Sequence, residues 1–245
     1  MLGKRRPPFV HPVRLGALVV IVALFAGTAL MALRDKGAGN ERGQSGSIDS
    51  AERVFSTADP VRRACGLKKK MLLRIWRGYY PGRSEDVVMV PQYPNYSGVF
   101  DLVNHSGPWD YLTNVPLVFY GPRRVAAEGR LEDEASITDV YATAGELTGV
   151  DLPKRDGRVL SDMLRPGVEG VPKLIVTLVW DGVGRNVLEE WPNAWPTLAR
   201  LEREGTSFSN ASVGSSPTIT PAIHSSLGTG AWPRSHGVTG IYYQT

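Results

Sequence analysis

"KLIVTLVWDG", residues 173–182, is the stretch whose reading decides the fold. Seven residues, Leu174 to Trp180, run without a charge and then stop at Asp181-Gly182. A strand buried on both faces reads as a continuous apolar run, and such strands belong to parallel sheets with helices on either side. In open α/β sheets ligands gather beyond the carboxyl ends of the strands. Asp181 stands at such an end, where a carboxylate carried out of a rigid strand is placed to hold a divalent cation. On its own it reads equally as a loop aspartate that starts a turn.

The surrounding pattern agrees with a layered fold. "DVVMVP" (86–91) and "VPLVFYG" (115–121) read as short buried strands stopped by Pro or Gly. "SITDVYATAGELTGV" (136–150) has apolar residues at three-to-four spacing and predicts a helix with Ser136 as a possible cap. "AWPTLARLEREG" (194–205) predicts another helix that stops at Gly205. Alternating strands and helices point to an α/β sheet with helices on both faces.

The chain has 245 residues, 42% of them hydrophobic, which suffices for one good core. Its single cysteine, Cys65, excludes an intrachain disulfide framework and a cysteine-rich zinc module. The net charge of +4 is modest. The clusters at 4–6, 62–63 and 68–70 read as membrane-flanking and linker charges, and no nucleic-acid module is recognised.

Leu15 to Leu33 run without a charge, behind Lys4, Arg5, Arg6 and Arg14. This predicts a transmembrane helix over 15–33 with a cytoplasmic leader, and the following part outside the cytoplasm. The alternative is a secretory signal cleaved near Gly27-Thr28-Ala29. Residues 1–34 are therefore assigned to leader and span. Residues 35–75 are read as a flexible linker rich in Gly, Ser and charge, and 76–245 as a partial α/β domain.

A second informative stretch is "SSPTITPAIHSSLGTG", 215–230. Proline favours the first helical position and threonine the position before it, so Thr220 is expected to cap a short helix over 221–228. A hydroxyl there faces unpaired backbone N–H groups and the positive end of the helix dipole, a setting that suits phosphate and an attacking alkoxide. Thr220 also reads simply as an N-cap. The neighbours Ser215, Ser216, Thr218, Ser225 and Ser226 read as loop and helix-face residues.

Four pieces in order resemble the alkaline phosphatase superfamily, and within it the type I phosphodiesterase and nucleotide pyrophosphatase group. They are "TLVWDGVGRN" (177–186), "WPTLARLEREGTSFSNAS" (195–212), "PTITPAIHSSLGTG" (217–230) and "PRSHGVTG" (233–240). The resemblance implies that Asp181 binds metal and that Thr220 is both nucleophile and metal ligand. It implies two divalent cations, zinc most often, and a phosphate mono- or diester as substrate. Gly182 would permit close approach, and His224 would be a satisfied histidine beside the site.

A second block is also similar to this family: "GRSEDVVMVPQY" (82–93), "HSGPWDYLTNVPLVFYG" (105–121) and 136–160. It resembles the segment that normally closes the catalytic domain and carries the last metal histidine. His105 takes that place, with the glycine one residue late at Gly107. The resemblance thus implies a permuted domain, 76–170 matching the family's end and 171–245 its beginning. The middle ligands are missing and would be expected from a C-terminal continuation. The competing reading is a catalytically incomplete, membrane-tethered binding or scaffold domain of the same fold.

Overall fold

A computed structural model describes residues 17–22, 62, 64–94 and 105–242. The elements in chain order are β1 (Ala17–Val22), α1 (Lys69–Gly78), α2 (Asp110–Thr113), β2 (Leu117–Tyr120), β3 (Gly129–Ser136) and α3 (Asp139–Thr148). They continue through a 3₁₀ turn (Ser161–Met163), β4 (Leu174–Val179), α4 (Arg185–Glu190), α5 (Pro196–Glu204), β5 (Thr206–Ser212), α6 (Thr220–Thr229) and α7 (Pro233–His236).

The five strands form one mixed sheet in the order β3-β5-β2-β1-β4. β5 runs parallel to β3 and antiparallel to β2, and β1 runs antiparallel to β2 and parallel to β4. The two faces of the β3-β5-β2 half are both covered, as a doubly layered fold requires. Successive residues of a strand point to opposite faces. Phe119 of β2 joins Phe208, Ile137, Val140, Leu147 and Ile223 in the main core, while Val118 packs on the other face with Leu198 and Leu201 of α5. Phe119 and Phe208 meet edge to face at 6.2 Å between ring centres. Burying each such side chain contributes about 1.5–3 kcal/mol.

Two strands were not legible in the sequence. β3, "GRLEDEAS", is acidic and mostly exposed at its middle. β5, "TSFSNAS", is dominated by hydroxyls, yet most of it is buried. Its polar side chains bond along the sheet: Thr206 donates to the Ala126 carbonyl, Ser207 to Gly129 and Ser209 to Leu131. Satisfied in this way, hydroxyls are buried at little cost.

Other expectations are corrected. Residues 86–91 form no strand; Val87 and Met89 are 79% and 89% exposed. β4 exists where expected but lies at the sheet's edge, and Leu174, Leu178 and Val179 are exposed rather than buried on both sides.

The largest correction concerns the amino-terminal run. Residues 17–22, expected inside a membrane helix, form β1 and fill the place between β2 and β4. Four consecutive β-branched residues, Val19 to Val22, supply the reason: they are stiff at χ1 and favour extended backbone. A short apolar run cannot be separated into helix or strand by periodicity alone. The remainder of 15–33 lies outside the described residues, as do the linker residues 35–61. Among the described residues no helix is long and apolar enough to cross a membrane.

α1 anchors the loops. Arg74, buried, donates to the Pro108 carbonyl at 2.8 Å and to Asp110 at 2.7 Å, while its own carbonyl accepts from Ser216 N–H at 2.9 Å. Lys70 also pairs with Asp110. Burial pushes the Asp110 carboxyl up, but the hydrogen bonds from Lys70 and Arg74 outweigh it and hold the group below its usual range. Gly78 is required by contact, since a Cβ there would lie 1.6 Å from the Ser216 carbonyl oxygen.

Two outcomes check this fold. Val20→Pro removes a backbone donor in the middle of β1, and should cost about 1–3 kcal/mol. At about 2–4 °C per kcal/mol for a chain of this size, thermal melting should fall by several degrees; an unchanged melt excludes β1 from the sheet. Cys65 is exposed and unpaired, so Cys65→Ser should leave stability in denaturant within about 0.5 kcal/mol of the parent.

Candidate active site

β4 ends at Val179, and the chain turns out of the sheet through Trp180, Asp181 and Gly182. Gly182 has φ +97°, a left-handed conformation that favours glycine. It lets the chain reverse after presenting Asp181, and Arg185 N–H then bonds to the Asn114 carbonyl at 3.2 Å. From the other side, β5 ends at Ser212 and a fixed loop leads to α6. Val213 N–H donates to Thr113 and Ser216 N–H to Arg74.

Thr220 is the first residue of α6, not its cap. Ile219, extended at φ −98° and ψ 147°, occupies the cap position, and no side chain caps the helix. The Thr220 hydroxyl donates to Asp181 Oδ2 at 3.3 Å and accepts from no N–H of its own helix as a cap would. The helix runs one residue beyond the expected 221–228 at each end and stops at a left-handed glycine, Gly230 with φ +67°.

His105 reaches the same place from 113 residues upstream of Thr218. Its Nδ1 lies 2.6 Å from the Thr218 carbonyl oxygen, and the Thr218 hydroxyl donates to the His105 carbonyl. His224, one turn beyond Thr220, completes the wall. Its Nε2 is buried and has no hydrogen-bond partner, where a satisfied imidazole was expected. Asp181, Thr220, His105 and His224 therefore line one small cavity of about 10 Å³, with Val213, Thr218 and Ile223. That is room for about one water molecule. The structure thus brings together all four polar residues singled out in the sequence.

A much larger apolar groove of about 720 Å³ is not this site. Ile219 and Pro217 line it, whereas Thr218 and Thr220 face the Asp181 cavity. Alternation along extended backbone puts the two on opposite sides of one segment.

The neighbouring hydroxyls prove more buried than a loop reading suggests. Ser215 is fully buried and its Oγ has no partner; Ser226, also fully buried, donates to the Ala222 carbonyl. Ser226 also lies 3.0 Å from His236 Nε2, which invites comparison with a serine–histidine catalytic pair. The hydrogen bonds exclude it. His236 Nδ1 accepts from Val238 N–H, so Nε2 carries the hydrogen and cannot take a proton from serine. Burial pushes the His236 pKa down, against the Ala222 carbonyl and the Asp156 charge.

The donors present do not fit a pair of cations. Two ions about 3.5–4 Å apart need a ring of carboxylates and imidazoles. Among the described residues no three His, Cys, Asp or Glu side chains come together as a metal group. What is assembled is one carboxylate against one hydroxyl, with two imidazoles on the same cavity wall.

Comparison with known proteins finds a family match over part of the chain. Residues 175–245 match the family model of type I phosphodiesterase / nucleotide pyrophosphatase. The match spans Asp181, Thr220 and His224 and bears out the resemblance to the alkaline phosphatase superfamily over this part of the chain. His105 and the 82–160 block lie outside it. No curated protein and no solved structure matches the chain.

The lowered His236 pKa has a measurable sign. Below the ordinary value near 6.5, the unfolded chain takes up a proton that the folded chain resists, so this group's contribution is present above pH about 6.5 and is lost as pH falls through the folded value. Denaturant unfolding from pH 7.5 to 5 should show a shallower loss of stability in His236→Gln than in the parent. Equal slopes would show that His236 is not the source.

Proposed function

We propose that the protein hydrolyses phosphoric esters with Thr220 as the attacking group. One observation carries the reading: the Thr220 hydroxyl at the start of α6 is hydrogen-bonded to the carboxylate delivered by β4, within the segment that matches a phosphodiesterase family. The hydroxyl passes its proton to Asp181, and Thr220 Oγ1 attacks phosphorus in line as the ester P–O bond breaks. The alcohol leaves with a proton from water, and the phosphothreonine is then hydrolysed by a second water. The N–H groups of the first turn of α6 stand beside the oxygen that attacks and favour the negative charge of the phosphoryl group.

The cation requirement of this reading falls on Asp181 and Thr220 first, with His105 third. A divalent cation, zinc or another, would supply positive charge to lower the hydroxyl's pKa and neutralise phosphoryl oxygens. A second ion needs ligands beyond the described residues.

The same reading takes the family's segments as permuted, and the place of His105 supports it. The block that resembles the family's end precedes the block that resembles its beginning, yet His105 lies against Thr218, beside Thr220. Moving the chain break need not alter a domain whose termini are close together. The absence of a three-donor metal group among the described residues favours the second reading, a non-catalytic scaffold of the same fold.

Turnover of para-nitrophenyl phosphate mono- and diesters by the full chain, with and without added zinc, separates the two. Thr220→Ala should abolish the covalent phosphoenzyme seen by intact mass and reduce turnover at least about 10³-fold. Thr220→Ser should retain part of it, and Ser225→Ala should change it little. Because Thr220 caps nothing, the alanine variant should not incur the loss of about 1 kcal/mol that removing a cap brings. A folded Thr220→Ala with parental turnover sinks the assignment.

A further inference from the structure

Thr218 has no part in the reaction proposed above, yet it is only 2% exposed and is tied to His105 twice. The His105 ring nitrogen Nδ1 lies 2.6 Å from the Thr218 carbonyl oxygen, and the Thr218 hydroxyl donates to the His105 carbonyl. Each residue thus offers one side-chain group and one carbonyl to the other. A carbonyl oxygen only accepts, so Nδ1 carries a hydrogen. In a neutral imidazole this leaves the lone pair on Nε2. His236 shows the opposite state in the same molecule: its Nδ1 accepts from Val238 N–H, so its hydrogen is on Nε2.

We infer that Thr218 is a positioning residue: its paired hydrogen bonds with His105 hold that imidazole, which lines the Thr220–Asp181 cavity, in the Nδ1–H tautomer and so make Nε2 its acceptor nitrogen. An acceptor nitrogen is what either a proton or a cation at this place requires; an N–H would serve neither. The second hydrogen bond matters because it holds the loop that carries His105, and the ring keeps its contact with the Thr218 carbonyl only while that loop stays in place. Two contacts from one residue fix both the loop carrying His105 and the ring. Thr218 also lies two residues before Thr220 in extended backbone, so the element that orients His105 is the one that delivers the nucleophile. Partners that fix a functional imidazole in this way commonly affect activity or metal affinity about 10- to 100-fold.

The catalytic consequence rests on the reading of Thr220 as nucleophile; the tautomer does not, and the experiment separates them. The full chain is labelled with ¹⁵N-histidine and its ring nitrogens are observed at about pH 8.5, where imidazoles are neutral. His105→Gln and His236→Gln assign the signals. His105 should show a protonated Nδ1 and an unprotonated Nε2, and His236 the reverse. Thr218→Val keeps the side-chain shape without the hydroxyl. It should shift His105 towards a mixture of tautomers and lower ester turnover about 10- to 100-fold, and Thr218→Ser should restore both. A parental His105 with its hydrogen on Nε2 overturns the inference, as does a folded Thr218→Val with parental tautomer or parental turnover. Should Thr218→Val fail to fold, the parental tautomer and the Thr218→Ser variant decide. A parental chain that turns over no ester sinks the Thr220 reading alone, and the ring spectrum still decides the tautomer.

Discussion

The strand ladder on either side of β5 is the constraint on which the rest depends. β5 is the last described strand in the chain, and both strands that flank it, β2 and β3, come before β4 in sequence. Once Thr206 to Ser212 is paired on both edges, the loop leaving β5 is fixed against Thr113, and the helix that follows is fixed with it. α1 adds a second tie: Arg74 holds Pro108 with its guanidinium and Ser216 with its carbonyl. His105 and Thr218 meet because the segments immediately beyond both of these ties have nowhere else to go. The meeting of a histidine and a threonine far apart in sequence is therefore a property of the sheet, and the site inherits it.

Much of this was legible from the residues. The strand before Asp181, the helix that ends at Gly205, the helix over 139–148 and the left-handed stop at Gly230 all follow from apolar spacing and terminal residues. The four polar residues of the cavity were each singled out from motif and position. What was not legible has a common physical cause. β5 hides as a strand because its buried hydroxyls are satisfied by carbonyls of the chain beside it, and that partner is not visible in a local window. Thr220 reads as a cap because proline follows it, but a carboxylate 39 residues earlier in sequence takes its hydroxyl. The run at 17–22 reads as part of a span because β-branched apolar residues suit lipid and sheet alike. In each case a long-range partner outcompetes the local preference.

The site itself is uneven in its degree of completion. In its geometry the Thr220 hydroxyl meets the Asp181 carboxylate, and the His105 imidazole is held by the Thr218 carbonyl. His224, another residue of the lining, keeps its Nε2 buried and without a hydrogen-bond partner. A buried nitrogen of this kind costs free energy in the folded state. Such a group is tolerated where a ligand or a water satisfies it, and here it sits on the wall shared with Thr220 and Asp181.

The position of β1 bears on how the molecule is assembled. Ala17 lies opposite Leu174, and Val19 opposite Tyr120. β1 thus waits for two partners made much later, and the sheet cannot become continuous until β4 has been made. Contacts so distant in sequence are entropically expensive to close and slow to form. During that interval a run of valine and isoleucine has no partner, and it is the segment that a chaperone, or another unfinished copy, would meet first.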